Sequence, residues 1–361
     1  MFILLLELLL GTTHMFGARK SWSEPDPILG WRFTPNRGYW YHRENDHPIT
    51  GRINRFGWRD RDRSLSKPPG VFRVAVIGDS FVEAIQVEQD STFTALVEDR
   101  LNRGAGRRAE ILNFGRSGMT QTEELLVLEH EVAGYAPDLV VLLFVPVNDV
   151  SEVTVETSDS ALRPFFDLSA NGDLSLNTSF VNSGEYKLKA AINRFKQHSL
   201  TVSFLNERYN LLRRSRRRAR IEARGRSSGR IDGALSLCTA SAEETYARNY
   251  RLNKRLIEEM AGYCRRQGMA FMLVCADWVY KTEDAARYSA IDPTFDAGYF
   301  ARDLRQFSDS LRIDYLDLQE PFQLYYRRRG IPLHWQHWNY AGHRLVAEEL
   351  AAKLESIMAR D

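Results

Sequence analysis

Cysteine is scarce in this chain. Of 361 residues only Cys238, Cys264 and Cys275 are cysteines, and no CxxC occurs. A zinc knuckle and a redox pair are therefore excluded as organising features. Charge of one sign is also lacking: the net charge is +2, which gives no whole-chain signal for a polyanionic partner. The apolar start MFILLLELLLG, broken by Glu7, falls short of the roughly 20 residues that span a bilayer. It lacks the basic start of a secretory signal as well. Residues 1–17 are read as the remnant of a membrane anchor or signal. That reading places the protein in the cell envelope, extracytoplasmic and held to the membrane through its N-terminus. The competing reading is an N-terminal helix packed on the domain.

What is present is ordinary for a globular chain, with 43% hydrophobic and 27% charged residues. Residues 18–70 read as an irregular arm rich in Arg, Pro, Gly and aromatics, closed by the turn signal KPPG. A regular alternation then begins. Apolar runs of strand length lie at 72–77, 109–114, 138–145, 270–276 and 313–318. Helical patterns lie between and after them, at 92–103, from Thr120, from Ser241 to about 267, at 298–311 and at 341–358. Thr120 with Glu123, and Ser241 with Glu244, have capping-box spacing. Near-continuous apolar strands alternating with helices predict a parallel sheet covered on both faces. The alternation stops between about 150 and 240, which reads as an insertion into a single domain spanning 71–361. A helix is expected there around 186–209. The insertion also holds RRSRRRARIEARGRSSGR (213–230), nine arginines against one glutamate. No aromatics interleave with them, so nucleic-acid binding is not expected. A solvated segment is the first reading and attraction to anionic lipid the second.

In parallel α/β sheets, ligands bind beyond the carboxyl ends of the strands. Four such places carry candidate chemistry. Gly78-Asp79-Ser80 follows the first strand, NFGRSG ends at Gly118 after the second, PVND brings Asn148 after the third, and LHWQHWNYAGH brings His337 after the last. A serine hydroxyl needs a base to take its proton, and the oxyanion formed on attack needs fixed donors. GDSF, the NxGxxG glycine, VND and HWNxxGH in this order resemble the SGNH/GDSL hydrolase superfamily, over roughly residues 25–361. DPILGWRFTPN and INRFGWRDRD are similar to the lead-in of its membrane-anchored bacterial members. The resemblance implies a three-layer α/β/α, flavodoxin-like fold with a five-stranded parallel sheet. It implies ester hydrolysis or acyl transfer without metal or cofactor. Ser80 is then the nucleophile, His337 the base, and Ser80, Gly118 and Asn148 the oxyanion donors. The expected substrate is an O-acyl ester, foremost an O-acetyl ester of envelope carbohydrate. A lipid esterase or thioesterase, and a degenerate carbohydrate-binding protein in polysaccharide assembly, are the alternatives.

Two departures stand out. Pro146 replaces the family's glycine before VND. More seriously, the family's acid, two or three residues before its histidine, is absent: Trp335 and His334 stand there, and no carboxylate occurs from 327 to 347. Either a distant carboxylate reaches His337, or the site is a Ser-His dyad oriented by a neutral acceptor. The dyad is favoured here, because rescue needs one narrow geometry, and His334→Asp is then expected to raise turnover. His334, His337 and His343 raise a zinc site only weakly, since no acid or thiol completes it. Trp335 and Trp338 either stack on a sugar or pack the loop.

Overall fold

The computed structural model describes residues 2–13, 21–104, 106–169, 171–206, 208–209 and 230–360. The arginine run lies outside the described residues except for Arg230. The chain opens with helix α1 (Phe2–Thr13). The arm follows, and it is less irregular than its composition suggests. It folds into two antiparallel hairpins, β1 (Ser23–Asp26) with β2 (Gly30–Phe33), and β3 (Gly38–Tyr41) with β4 (Ile49–Arg52). Strands of four residues are too short to show a period in the sequence. The hairpins share a small core of Phe33, Tyr39, Ile49 and Ile53, into which Ile85 of the main domain packs.

The main domain carries β5 (Phe72–Gly78), α2 (Ser80–Glu83), α3 (Phe93–Arg103), β6 (Ala109–Gly115), α4 (Gln121–His130), β7 (Leu139–Phe144) and α5 (Pro146–Glu152). A hairpin of β8 (Phe165–Leu168) and β9 (Leu174–Asn177) and helix α6 (Gly184–Lys196) come next. Then follow α7 (Glu244–Arg266), β10 (Ala270–Cys275), α8 (Thr282–Ile291), α9 (Tyr299–Leu311), β11 (Asp314–Asp317), α10 (Gln319–Arg329) and α11 (Tyr340–Met358). The five long-range strands form one parallel sheet in the order β11-β10-β7-β5-β6. Helices cover both faces, giving the three-layer α/β/α fold.

Strand residues alternate between the two faces, as the period of two requires. Ala75, Ile77, Val140 and Leu142 pack with α4, α7 and α9. Val74, Val76, Val141 and Leu143 pack with α3, α10 and α11. Thr120 and Glu123 do form a capping box on α4. Ser241 and Glu244 do not: α7 starts at Glu244 with Glu243 as its cap residue, and the Glu243 carboxylate instead accepts from Gly233 N. β5 lies between β6 and β7, so the chain reverses direction across the sheet at its carboxyl end. Loops from three strands meet at that switch point, the place where ligands bind in open sheets of this kind.

Candidate active site

β5 is buried along its length and ends at Gly78. Asp79 then caps the four-residue helix α2, its Oδ1 accepting from Phe81 N at 2.9 Å. Ser80 is therefore the first residue of a helix, where the backbone N–H has no intrahelical partner. The turn that looks like a simple cap also sets the serine at the mouth of the sheet. Gly115, at the end of β6, lets α2 sit this close: a Cβ there would lie 2.2 Å from Glu83 N.

Ser80 Oγ lies 2.8 Å from His337 Nε2. The other ring nitrogen, Nδ1, lies 2.8 Å from Glu44 Oε1. The acceptor on His337 is thus a carboxylate, not the neutral group expected. It comes from the arm, in the connection between β3 and β4. Glu44 Oε2 also accepts from the backbone N–H of His337 at 2.9 Å and of Gln336 at 3.2 Å. Tyr41 Oη donates to Glu44 Oε1 at 2.7 Å. Burial pushes the Glu44 carboxyl up, but the hydrogen bonds and positive charge of His337 outweigh it and hold it down at about 2. The same pairing acts in reverse on His337. Burial lowers its pKa, and the Glu44 hydrogen bond and charge raise it above 6.5 overall.

Gly118 sits in the left-handed region at φ +74°, on an exposed turn after β6. Its loop is held by Glu83, one turn along α2 from Ser80, which accepts from both Ser117 N and Ser117 Oγ. Asn148 lies on α5, and its Nδ2 donates to Asp79 Oδ2 at 2.9 Å. Pro146 is tolerated because it occupies the first turn of α5, where no N–H is needed. The loops bearing Ser80, Gly118 and Asn148 are therefore tied together by two buried acids, Asp79 and Glu83. Burial raises the pKa of both, and the hydrogen bonds they accept offset part of that rise.

The remaining histidines have other partners. His334 Nε2 lies 2.9 Å from Asp277 Oδ2, and Trp338 Nε1 donates to Asp277 Oδ1 at 2.7 Å. Asp277 follows β10, so it pins both residues that flank the His337 loop. His343 is buried, its Nδ1 accepts from Phe93 N, and burial lowers its pKa to about 3. Among the described residues no group of three or more His, Cys, Asp or Glu is placed to hold a metal. Trp338 is fully buried, whereas Trp335 is 39% exposed and edge-on to Tyr340. Sequence reasoning missed Glu44, Glu83 and Asp277, and gave Asp79 no role beyond its turn. Asp79 was visible in the GDS turn itself; nothing local marked Glu44.

A serine, a histidine and a carboxylate in series at the switch point of a parallel three-layer sheet are the parts of an acyl-transfer site. The profile of the GDSL-like lipase/acylhydrolase family matches residues 74–350, and the chain belongs to that family. Similar solved structures include an acetyl xylan esterase, AlAXEase, with 15% identity, TM-score 0.43, and coverage of 78% of this chain and 100% of that one. An acetylxylan esterase from Geobacillus stearothermophilus has 13% identity and TM-score 0.42, covering 78% and 94%. TesA has 14% identity and TM-score 0.39, covering 79% and 98%. No curated protein matches the chain.

Proposed function

We propose that the protein is a serine esterase that removes O-acyl groups, foremost O-acetyl groups, from carbohydrate. The hydrogen-bonded series Ser80–His337–Glu44 carries this reading. Ser80 Oγ attacks the ester carbonyl and passes its proton to His337 Nε2. Glu44, accepting at Nδ1, holds the tautomer in which Nε2 is free and balances the imidazolium that forms. The N–H groups of Ser80 and Gly118 and the Nδ2–H of Asn148 stabilise the oxyanion. His337 then gives its proton to the leaving alkoxide. Water, deprotonated by His337, releases the acid from the acyl-Ser80 intermediate. An acyl acceptor in place of water would make the same site a transferase.

The carbohydrate part of the reading is supported by Trp335. Its exposed indole lies two residues from His337, where a flat apolar ring can meet a sugar face. The alternative of a degenerate binding protein rested on a missing acid, and with Glu44 on His337 that reason lapses. The test is release of acetate from acetylated oligosaccharides, compared with hydrolysis of long-chain p-nitrophenyl esters. Turnover on the acetylated sugar that Ser80→Ala abolishes is expected. Equal turnover by wild type and Ser80→Ala removes the enzyme reading, and a preference for the long-chain ester removes the carbohydrate one.

A further inference from the structure

Helix α6, in the insertion, is turned the wrong way round for a soluble helix. At 3.6 residues per turn, Leu188, Ile192 and Phe195 fall on one stripe of about 60°. They are 61%, 37% and 67% exposed. The face turned to the protein is mixed, with Tyr186, edge-on to Phe180, and Ala190 half-buried beside polar groups. Asn193 is buried there, Gln197 just beyond the helix donates to Glu24 at 3.1 Å, and Ser21 N donates to Lys196 O. A helix that only needed to pack on the domain would bury the stripe instead. Helix α1 repeats the inversion beside it. Its Glu7 accepts from Ser199 Oγ, Leu200 N and Thr201 N, and Leu10 is buried, while Leu5, Leu8 and Leu9 are 60%, 64% and 46% exposed.

Around the α6 stripe, cations outnumber acids four to one. Lys187 and Arg194 lie exposed on one flank at helical spacing; on the other, Lys189 pairs with Glu185, the single acid of the helix, at 3.2 Å, and Lys196 is half-buried. No helix among the described residues is long and apolar enough to cross a membrane.

We infer that the outer face of α6, with α1 beside it, is a docking surface for an anionic lipid bilayer. An apolar stripe bordered by lysine and arginine buries its side chains at the acyl boundary while the cations reach the headgroups. A second copy of the chain is a poorer occupant, because its own α6 would bring the same cations against these.

Flotation of the full chain with vesicles tests this, using phosphatidylcholine alone and phosphatidylcholine mixed with phosphatidylglycerol. The full chain is expected to float with the phosphatidylglycerol vesicles and to be released by salt. Leu188→Ser combined with Phe195→Ser should weaken that partition roughly tenfold or more, with an unchanged circular dichroism spectrum. Lys187→Glu combined with Arg194→Glu should weaken binding to the anionic vesicles only. The inference is overturned if the wild type does not float with anionic vesicles, or if the serine variant floats as well as the wild type. It is also overturned if the wild type is a dimer that the serine variant makes monomeric, which would assign the face to a second copy.

Discussion

At the scale of single residues, the arrangement turns on which acid faces which histidine. Glu44 faces His337, so Glu44→Gln keeps the shape but removes the charge that supports the imidazolium. Turnover should fall roughly 10²–10⁴-fold with KM little changed. The pH profile gives the sign. His337 acts as a base only when neutral, and Glu44 raises its pKa above 6.5. The rising limb of wild-type activity should therefore have its midpoint above 6.5, and Glu44→Gln should move it to lower pH. A limb that stays in place in the variant would show that Glu44 does not act on the titrating base. His334 faces Asp277 instead. The family spacing alone predicts a gain from His334→Asp. In the structure it sets a second carboxylate against Asp277, whose other oxygen already holds Trp338. The expected outcome is a lower melting temperature and reduced turnover, not a gain.

At the scale of elements, the site depends on a helix of four residues lying flat across two strand ends. Such a helix has no stability of its own. It is fixed by the Asp79 cap, by packing of Phe81 and Val82, and by the glycines beneath it. Gly115→Ala is the most direct test of that packing, since the added methyl would lie 2.2 Å from Glu83 N and 2.4 Å from the Val82 carbonyl carbon. Backbone on both elements must shift, at a cost of about 1–3 kcal/mol. Thermal unfolding should show the loss, and turnover measured well below the melting point should fall too, because Glu83 and the Ser117 loop move together. A variant with wild-type melting and turnover would mean that α2 is not held as described.

At the scale of the whole molecule, the arm is part of the catalytic domain's architecture and not an appendage. Arg59 is buried between them. Its guanidinium donates to Tyr39 Oη on the arm and to the carbonyls of Glu83 and Val87 in the domain. The Glu44–His337 pair is a further tie, and its two pKa shifts set when it contributes. The Glu44 carboxyl is lowered from 4.5 to about 2, so its share of stability is present above 4.5 and is lost as pH falls toward 2. The His337 pKa is raised from 6.5, so its share is full below 6.5 and is lost as pH rises through the folded value. The melting temperature of wild type should therefore exceed that of Glu44→Gln most between about pH 4.5 and 6.5, and the gap should narrow on either side. A gap independent of pH would assign the difference to packing alone.

The sequence by itself determined the layers and most of the mouth of the sheet. Strand-length apolar runs, helices at a 3.6-residue period and a glycine-serine turn are local patterns, and local sterics and burial are enough to read them. Ser80, Gly118, Asn148 and His337 could be singled out for the same reason: each closes or follows such a pattern. The arm's hairpins were not legible, because four-residue strands leave no period. Nor was the outward stripe of α6, since a helical pattern shows that a face is apolar and not where it points. Only the tertiary structure decided the acid. Glu44 is one of six carboxylates in the arm, 293 residues from His337. No spacing rule connects them, because the contact is made by packing the arm's aromatic core and Arg59 against the turn after α2, and that docking sets which carboxylate meets the histidine.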